Sequence, residues 1–230
     1  MIICVYALVS PVPLRVTPVG IRGERLRVIT VDRLAAVVGE LKRVPAPTIK
    51  NLRRYATVIE AIASKVPAIL PARFATTVAD RDELTFILRS RGVALRQRLR
   101  AVRGRAQMTI RLVGSDPGDV TFRGQTPVTR RSGVRPRNKA TQGTQYLQQR
   151  MAIAARARAV TGFEPIRNAI RRFVKEERVE KRGDVVTVNH LVPRTTASRY
   201  LMAVERAAEE GAIRLSVSGP WAPYAFADNW

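Results

Sequence analysis

Groups able to do acid–base or nucleophilic chemistry are scarce in this 230-residue chain, which has one cysteine, Cys4, and one histidine, His190. A lone cysteine cannot close an internal disulfide, which favours a reducing compartment. Cys4 and His190 lie far apart in sequence and suggest no nucleophile–base pair. Metal-ligand spacing of Cys and His is absent, and so are the GxxxxGK[ST] and GxGxxG phosphate loops. The carboxylate pairs Asp80/Asp82 and Glu209/Glu210 fall at expected helix ends, where they favour the dipole or face water. No apolar run reaches the length of a membrane span. The opening MIICVYALVSP has no Lys or Arg ahead of its short apolar stretch and Pro11 close behind it, so it reads as a buried strand and not a signal peptide. These absences describe a cytoplasmic chain with no catalytic, cofactor-binding or metal-binding residues and no transmembrane segment.

Acidic residues are also few: 18 against 41 Lys and Arg, nearly all arginine, for a formal charge of +23. Such a field attracts nucleic acid, acidic proteins or anionic membrane without choosing among them. An arginine-rich proteome would leave the same bias. An RNA-recognition sheet stacks bases on aromatics of its central strands and carries an RNP1 pattern. The first strand here offers only Tyr6, and nothing matches RNP1. No specific nucleic acid is expected; a basic nucleic-acid-binding α+β protein stands as the alternative reading.

What is present is 46% apolar residue content, arranged in two blocks. In residues 1–114, Ile2 to Val9 is apolar on both faces, as a central strand requires. Strands are expected over Leu26–Val31 and Leu34–Val38 about a turn at Asp32-Arg33, and over Ala68–Phe74 and Gln107–Val113. Thr48 can cap a helix through about Lys65, whose stripe is Leu52, Tyr55, Ile59 and Ile62. A long helix from about Asp80 to Val102 buries Leu84, Leu88, Leu95, Leu99 and Val102. Arg89, Arg96, Arg100 and Arg103 flank one side of that stripe, and Arg91, Arg98 and Arg105 the other. These arginines read as a basic ridge or as a solvated face whose stems cover the stripe edges. Two helices on one sheet face give an α+β sandwich of ferredoxin-like type.

Residues 115–142 form a basic linker rich in Gly, Pro and Thr, with six cations and no acid after Asp119. Residues 143–230 are again α+β. A helix starts near Thr144, breaks near Gly162 and restarts at Pro165. A hairpin then turns about Gly183-Asp184, a helix capped by Thr195 or Thr196 ends at Gly211, and a strand follows over Ile213–Val217. Arg54-Tyr55 through Phe74 aligns without gaps to Arg199-Tyr200 through Gly219, a weak internal echo of two similar domains.

The segment Gly219–Trp230, GPWAPYAFADNW, crowds two prolines, two tryptophans, a tyrosine and a phenylalanine together. Pro220 and Pro223 lack amide hydrogens, so this segment cannot run through the middle of a sheet. Its aromatics dock on their own domain, on the neighbouring domain or on a partner.

GPWAPYAF resembles the GPWPPYSF close of the gas vesicle GvpF/GvpL family, with Ala222 and Ala225 in place of Pro and Ser. Ile69–Val78, ILPARFATTV, looks like the family's VLPLRFGTVF, which has glycine where Ala75 stands. Gly143–Leu147, GTQYL, is similar to its GTAYL, and Leu191-Val192-Pro193-Arg194 to its YLV-x-R step. The opening strand ending in Tyr6-Ala7-Leu8-Val9 fits as well, so the resemblance spans nearly the whole chain. It implies two modified ferredoxin-like α+β domains with a helical extension and a C-terminal aromatic tail. It also implies a non-enzymatic gas vesicle protein, a minor component or assembly factor associated with the vesicle. The expected partners are the small hydrophobic shell protein GvpA and other accessory Gvp proteins, whose aggregation it would limit. Trp221, Tyr224 and Phe226, the Arg73-Phe74 turn and the helix start at Tyr146-Leu147 are the candidate partner-contact or domain-interface residues.

Overall fold

A computed structural model describes residues 1–11, 19–113, 163–183, 185–211 and 214–227. It divides into two compact units. One takes in Met1–Met108, Leu191–Ala197 and Ser218–Trp230, the other Thr109–His190 and Ser198–Val217.

The first unit is built on an antiparallel sheet. Strand β1 (Ile2–Val9) pairs with β3 (Leu34–Leu41), and β3 with β2 (Arg27–Val31). On its other side β1 pairs with β4 (Ile69–Pro71) and β5 (Thr77–Val78). The main strand order is β2-β3-β1-β4. The β2–β3 hairpin turns on Asp32 and Arg33, both at positive φ (45° and 67°), the mirror-image turn that matches strand twist. Helix α1 (Ile49–Ala63) starts at Thr48, whose Oγ1 accepts the Asn51 N–H at 3.2 Å. At α2 (Arg81–Ser90), Asp80 accepts from the Glu83 N–H at 2.9 Å while Glu83 accepts from the Ala79 N–H, a reciprocal capping arrangement.

The expected single helix Asp80–Val102 is two helices, α2 and α3 (Gly92–Val102), parted at Arg91. Leu84, Leu88, Leu95, Leu99 and Val102 are nevertheless all buried. Apolar periodicity runs on across the break, so it could not reveal it.

The helices also do not share one sheet face. Leu34, Ala36 and Val38 of β3 belong to a cluster with Val5, Leu8, Leu84, Leu95 and Leu99. The alternate residues Ala35, Val37 and Leu41 cluster with Tyr6, Tyr55, Ile59 and Ile62. Successive side chains of a strand point to opposite faces, so α1 covers one face and α2 with α3 the other. A sheet whose central strands are apolar on both sides needs two covers, and this one has them.

A second, four-stranded sheet runs β7-β8-β6-β9, with β6 Arg105–Val113, β7 Glu176–Arg182, β8 Val185–Pro193 and β9 Leu215–Trp221. Helix α4 (Glu164–Ile170) carries Pro165 in its first turn, and α5 (Ala197–Glu210) ends at Gly211. The final strand runs further than Ile213–Val217 and includes Pro220. Because β9 is last in the order, the proline sits on an edge, where its missing N–H is tolerated. The protein is thus α+β, with two sheets and their helices.

Candidate functional site

The tail docks within the first unit. After β9, Ala222 joins the α1-side cluster, while Phe226 and Ala227 join the α2/α3-side cluster. The single helical turn Tyr224–Phe226 packs against β4, the end strand of the main sheet order. The tail therefore clasps that edge, with one anchor on each face. Phe226 is fully buried, and burying a phenylalanine stabilises by about 1.5–3 kcal/mol. The Ala225 N–H donates to Gln107 Oε1 at 2.8 Å. Gly219 sits at φ 124°, and a Cβ there would lie 2.7 Å from the Gln107 carbonyl oxygen, so both conformation and space demand glycine.

Trp221 and Tyr224 face outward, 42% and 41% exposed. Trp221 Nε1–H reaches Ser218 Oγ at 3.3 Å. The Tyr224 hydroxyl lies within the electrostatic reach of the Glu60 carboxylate. Burial and the Glu60 carboxylate raise its pKa above the ordinary phenol value, and Tyr55 lies within its electrostatic reach.

Tyr55 is the shared neighbour that ties this region together. Its ring stacks on Tyr6 at 5.5 Å and meets Phe74 edge-on at 5.5 Å. Its hydroxyl is shared between the carbonyl oxygens of Ala72 (2.7 Å) and Tyr6 (3.1 Å). Tyr6 in turn donates to Glu24 and accepts the Ile21 N–H at 3.0 Å. Phe74 is half-buried and Arg73 exposed, on a turn closed by Thr76 N–H to Arg73 O at 3.1 Å. In that turn Ala75 holds φ 63°.

Of the sequence candidates, Phe226 is an internal anchor, whereas Arg73, Phe74, Trp221 and Tyr224 reach the surface of one unit. Tyr146 and Leu147 lie outside the described residues. Two further positioning residues were not among the sequence candidates. Arg194, of the LVPR step, donates to the Ala63 carbonyl at the end of α1 (3.1 Å) and to the Arg105 carbonyl (3.3 Å). Gln107 carried no signal of its own.

The isolated nucleophile and base are both enclosed. Burial, with Glu24 nearby, pushes the Cys4 thiol up to about 12, so it stays protonated and inert at neutral pH. In the second unit the His190 ring is fully buried. Its Nδ1 meets the Tyr200 hydroxyl at 2.6 Å and its Nε2 meets Glu177 at 2.8 Å. Arg167 pairs with Glu177 at 3.4 Å and with Glu164 at 2.6 Å. Burial alone would raise the Glu177 pKa, but the His190 hydrogen bond and the Arg167 charge outweigh it and hold the group below its usual value. With both ring nitrogens occupied, this network organises a core. Among the described residues no group of three His, Cys, Asp or Glu could hold a metal ion, and no helix is long and apolar enough to cross a membrane.

An α+β protein with two sheets, closed by an aromatic clasp, is the class these observations define. The family model for gas vesicle synthesis protein GvpL/GvpF matches residues 3–228, and the chain belongs to that family, one of gas vesicle proteins and not of enzymes. It is 24% identical over 224 residues to gas vesicle protein F of Streptomyces sp. (strain CB03234), covering 94% of this chain and 93% of the relative. The fold is similar to the crystal structure of GvpF from Anabaena sp. PCC7120 (TM-score 0.71, 18% identity, covering 100% of this chain and 99% of that one). It is equally similar to that of GvpF from Microcystis aeruginosa (TM-score 0.71, 14% identity, 99% of each chain).

Proposed function

We propose that this protein acts in the cytoplasm as a gas vesicle assembly factor that binds the shell protein GvpA, alongside other accessory Gvp proteins, and limits its aggregation. The observation that carries this reading is the exposure of Trp221 and Tyr224 on a tail whose next aromatic, Phe226, is fully buried. Anchoring removes the tail's conformational freedom before any partner arrives, so less entropy is lost on binding. Rigid aromatics then offer apolar area to a shell subunit whose own apolar surface would otherwise self-associate. Phe74 and Arg73 supply a flanking ring and a cation, and Tyr55 holds the Phe74 ring in place. No step of chemistry is involved.

The test is light scattering of GvpA diluted from denaturant, with and without an equimolar amount of this protein. Suppressed scattering supports the reading. Scattering no lower than that seen with an unrelated basic protein of similar size contradicts it.

A further inference from the structure

A second surface of the first unit, independent of the tail and of the vesicle assignment, has the character of a docking face. Phe86 of α2 is 72% exposed, more than any other aromatic side chain among the described residues, and Val93 of α3 is 66% exposed. Phe86, Val93 and Arg100 are spaced by seven residues, and Arg89 falls between the first two. On the opposite side of the same helices Leu84, Leu88, Leu95 and Leu99 are buried, so this line points outward. The acids of the region, Asp80, Asp82 and Glu83, all stand at the start of α2. From Arg89 to Arg111 the sequence holds arginines and no acid at all. Asp32, from the β2–β3 turn, is a carboxylate that meets this face, 3.5 Å from Arg89. Arg96 reaches the Asp32 backbone carbonyl at 3.2 Å, and Arg100 and Arg103 are exposed at the far end.

We propose that the outward line Phe86–Arg89–Val93–Arg100 docks an acidic amphipathic helix of a different protein. A seven-residue spacing of outward side chains is what a partner helix laid along α2 and α3 would read. The arginines require carboxylates on that partner, and Phe86 and Val93 require an apolar stripe between them. A second copy of this chain is a poor occupant, because two chains of formal charge +23 repel. A nucleic-acid backbone would satisfy the arginines but gives Val93 nothing.

The test measures fluorescence anisotropy of a labelled three-heptad helical peptide with Leu at positions a and d and Glu elsewhere, at physiological ionic strength. Comparison probes are the same peptide with its Leu replaced by Ser, the same peptide with its Glu replaced by Lys, and a short DNA duplex. The Leu/Glu peptide should bind best. Phe86→Ser with Val93→Ser, and separately Arg89→Gln with Arg100→Gln, should each weaken it by about tenfold with unchanged circular dichroism. Equal binding of the Ser peptide or the duplex, or variants that leave the Leu/Glu peptide unaffected, would overturn the proposal.

Discussion

Gln107 holds Ala225: its side-chain oxygen accepts the Ala225 N–H at 2.8 Å, tying the tail to β6 across 118 residues of sequence. Gln107 is itself buried and Ala225 half-buried, so the bond is partly shielded from competing water. Gln107→Leu keeps the volume and removes the acceptor. We expect a loss of about 1–3 kcal/mol, the cost of a buried polar group left without its partner. Urea unfolding measures this, and faster proteolysis of the tail should accompany it.

Gly219→Ala strikes the same junction from the other side. The added methyl would lie 2.7 Å from the Gln107 carbonyl oxygen and 2.9 Å from the Met108 sulfur, at a backbone φ of 124°. Strain of this kind costs about 1–3 kcal/mol before any repacking. Thermal unfolding should show a lower midpoint for Gly219→Ala than for Ser218→Ala, a neighbour without these constraints.

Ala75→Gly should stabilise. At φ 63° a side chain pays about 1 kcal/mol or more for the left-handed region, and glycine returns part of that as extra freedom of the unfolded chain. A net gain of about 0.5 kcal/mol in denaturant unfolding is expected. A destabilised variant would contradict this account of the turn.

The second unit should respond to acid through Glu177. Its folded pKa lies below the unfolded reference of 4.5, so the folded state binds fewer protons near that pH. The stabilisation is therefore complete above the unfolded value and is lost as pH falls through the folded one. Glu177→Gln should lower stability at neutral pH and flatten the acid limb of a plot of melting temperature against pH. An acid limb as steep as that of the unaltered protein would count against the network.

Much of this was legible in the chain because single residues carried strong local signals. Thr48 marked a helix start by its capping chemistry, and β1, apolar on both sides, marked a central strand. The prolines of the tail correctly excluded a mid-sheet position, and β9 lies at an edge. The break at Arg91 was invisible because the buried leucines keep their spacing through it. The placing of α1 and of α2 with α3 on opposite faces follows from the alternation within β3, which becomes decisive only once its register is known. Within the tail, composition grouped Phe226 with Trp221 and Tyr224. Which ring turns inward depends on Gln107 and β4, both distant in sequence.

The central claim is that the outward rings of an anchored tail hold the shell protein. Its most direct test is the affinity of GvpA for Trp221→Ala with Tyr224→Ala, measured beside Phe86→Ser with Val93→Ser on the other face. Both ring positions are about two-fifths exposed, so the fold should survive truncation, as circular dichroism can verify. The account predicts at least about a tenfold weaker GvpA complex for the tail variant and an unchanged one for the α2/α3 variant. A folded tail variant that binds GvpA as tightly as the unaltered protein would contradict it.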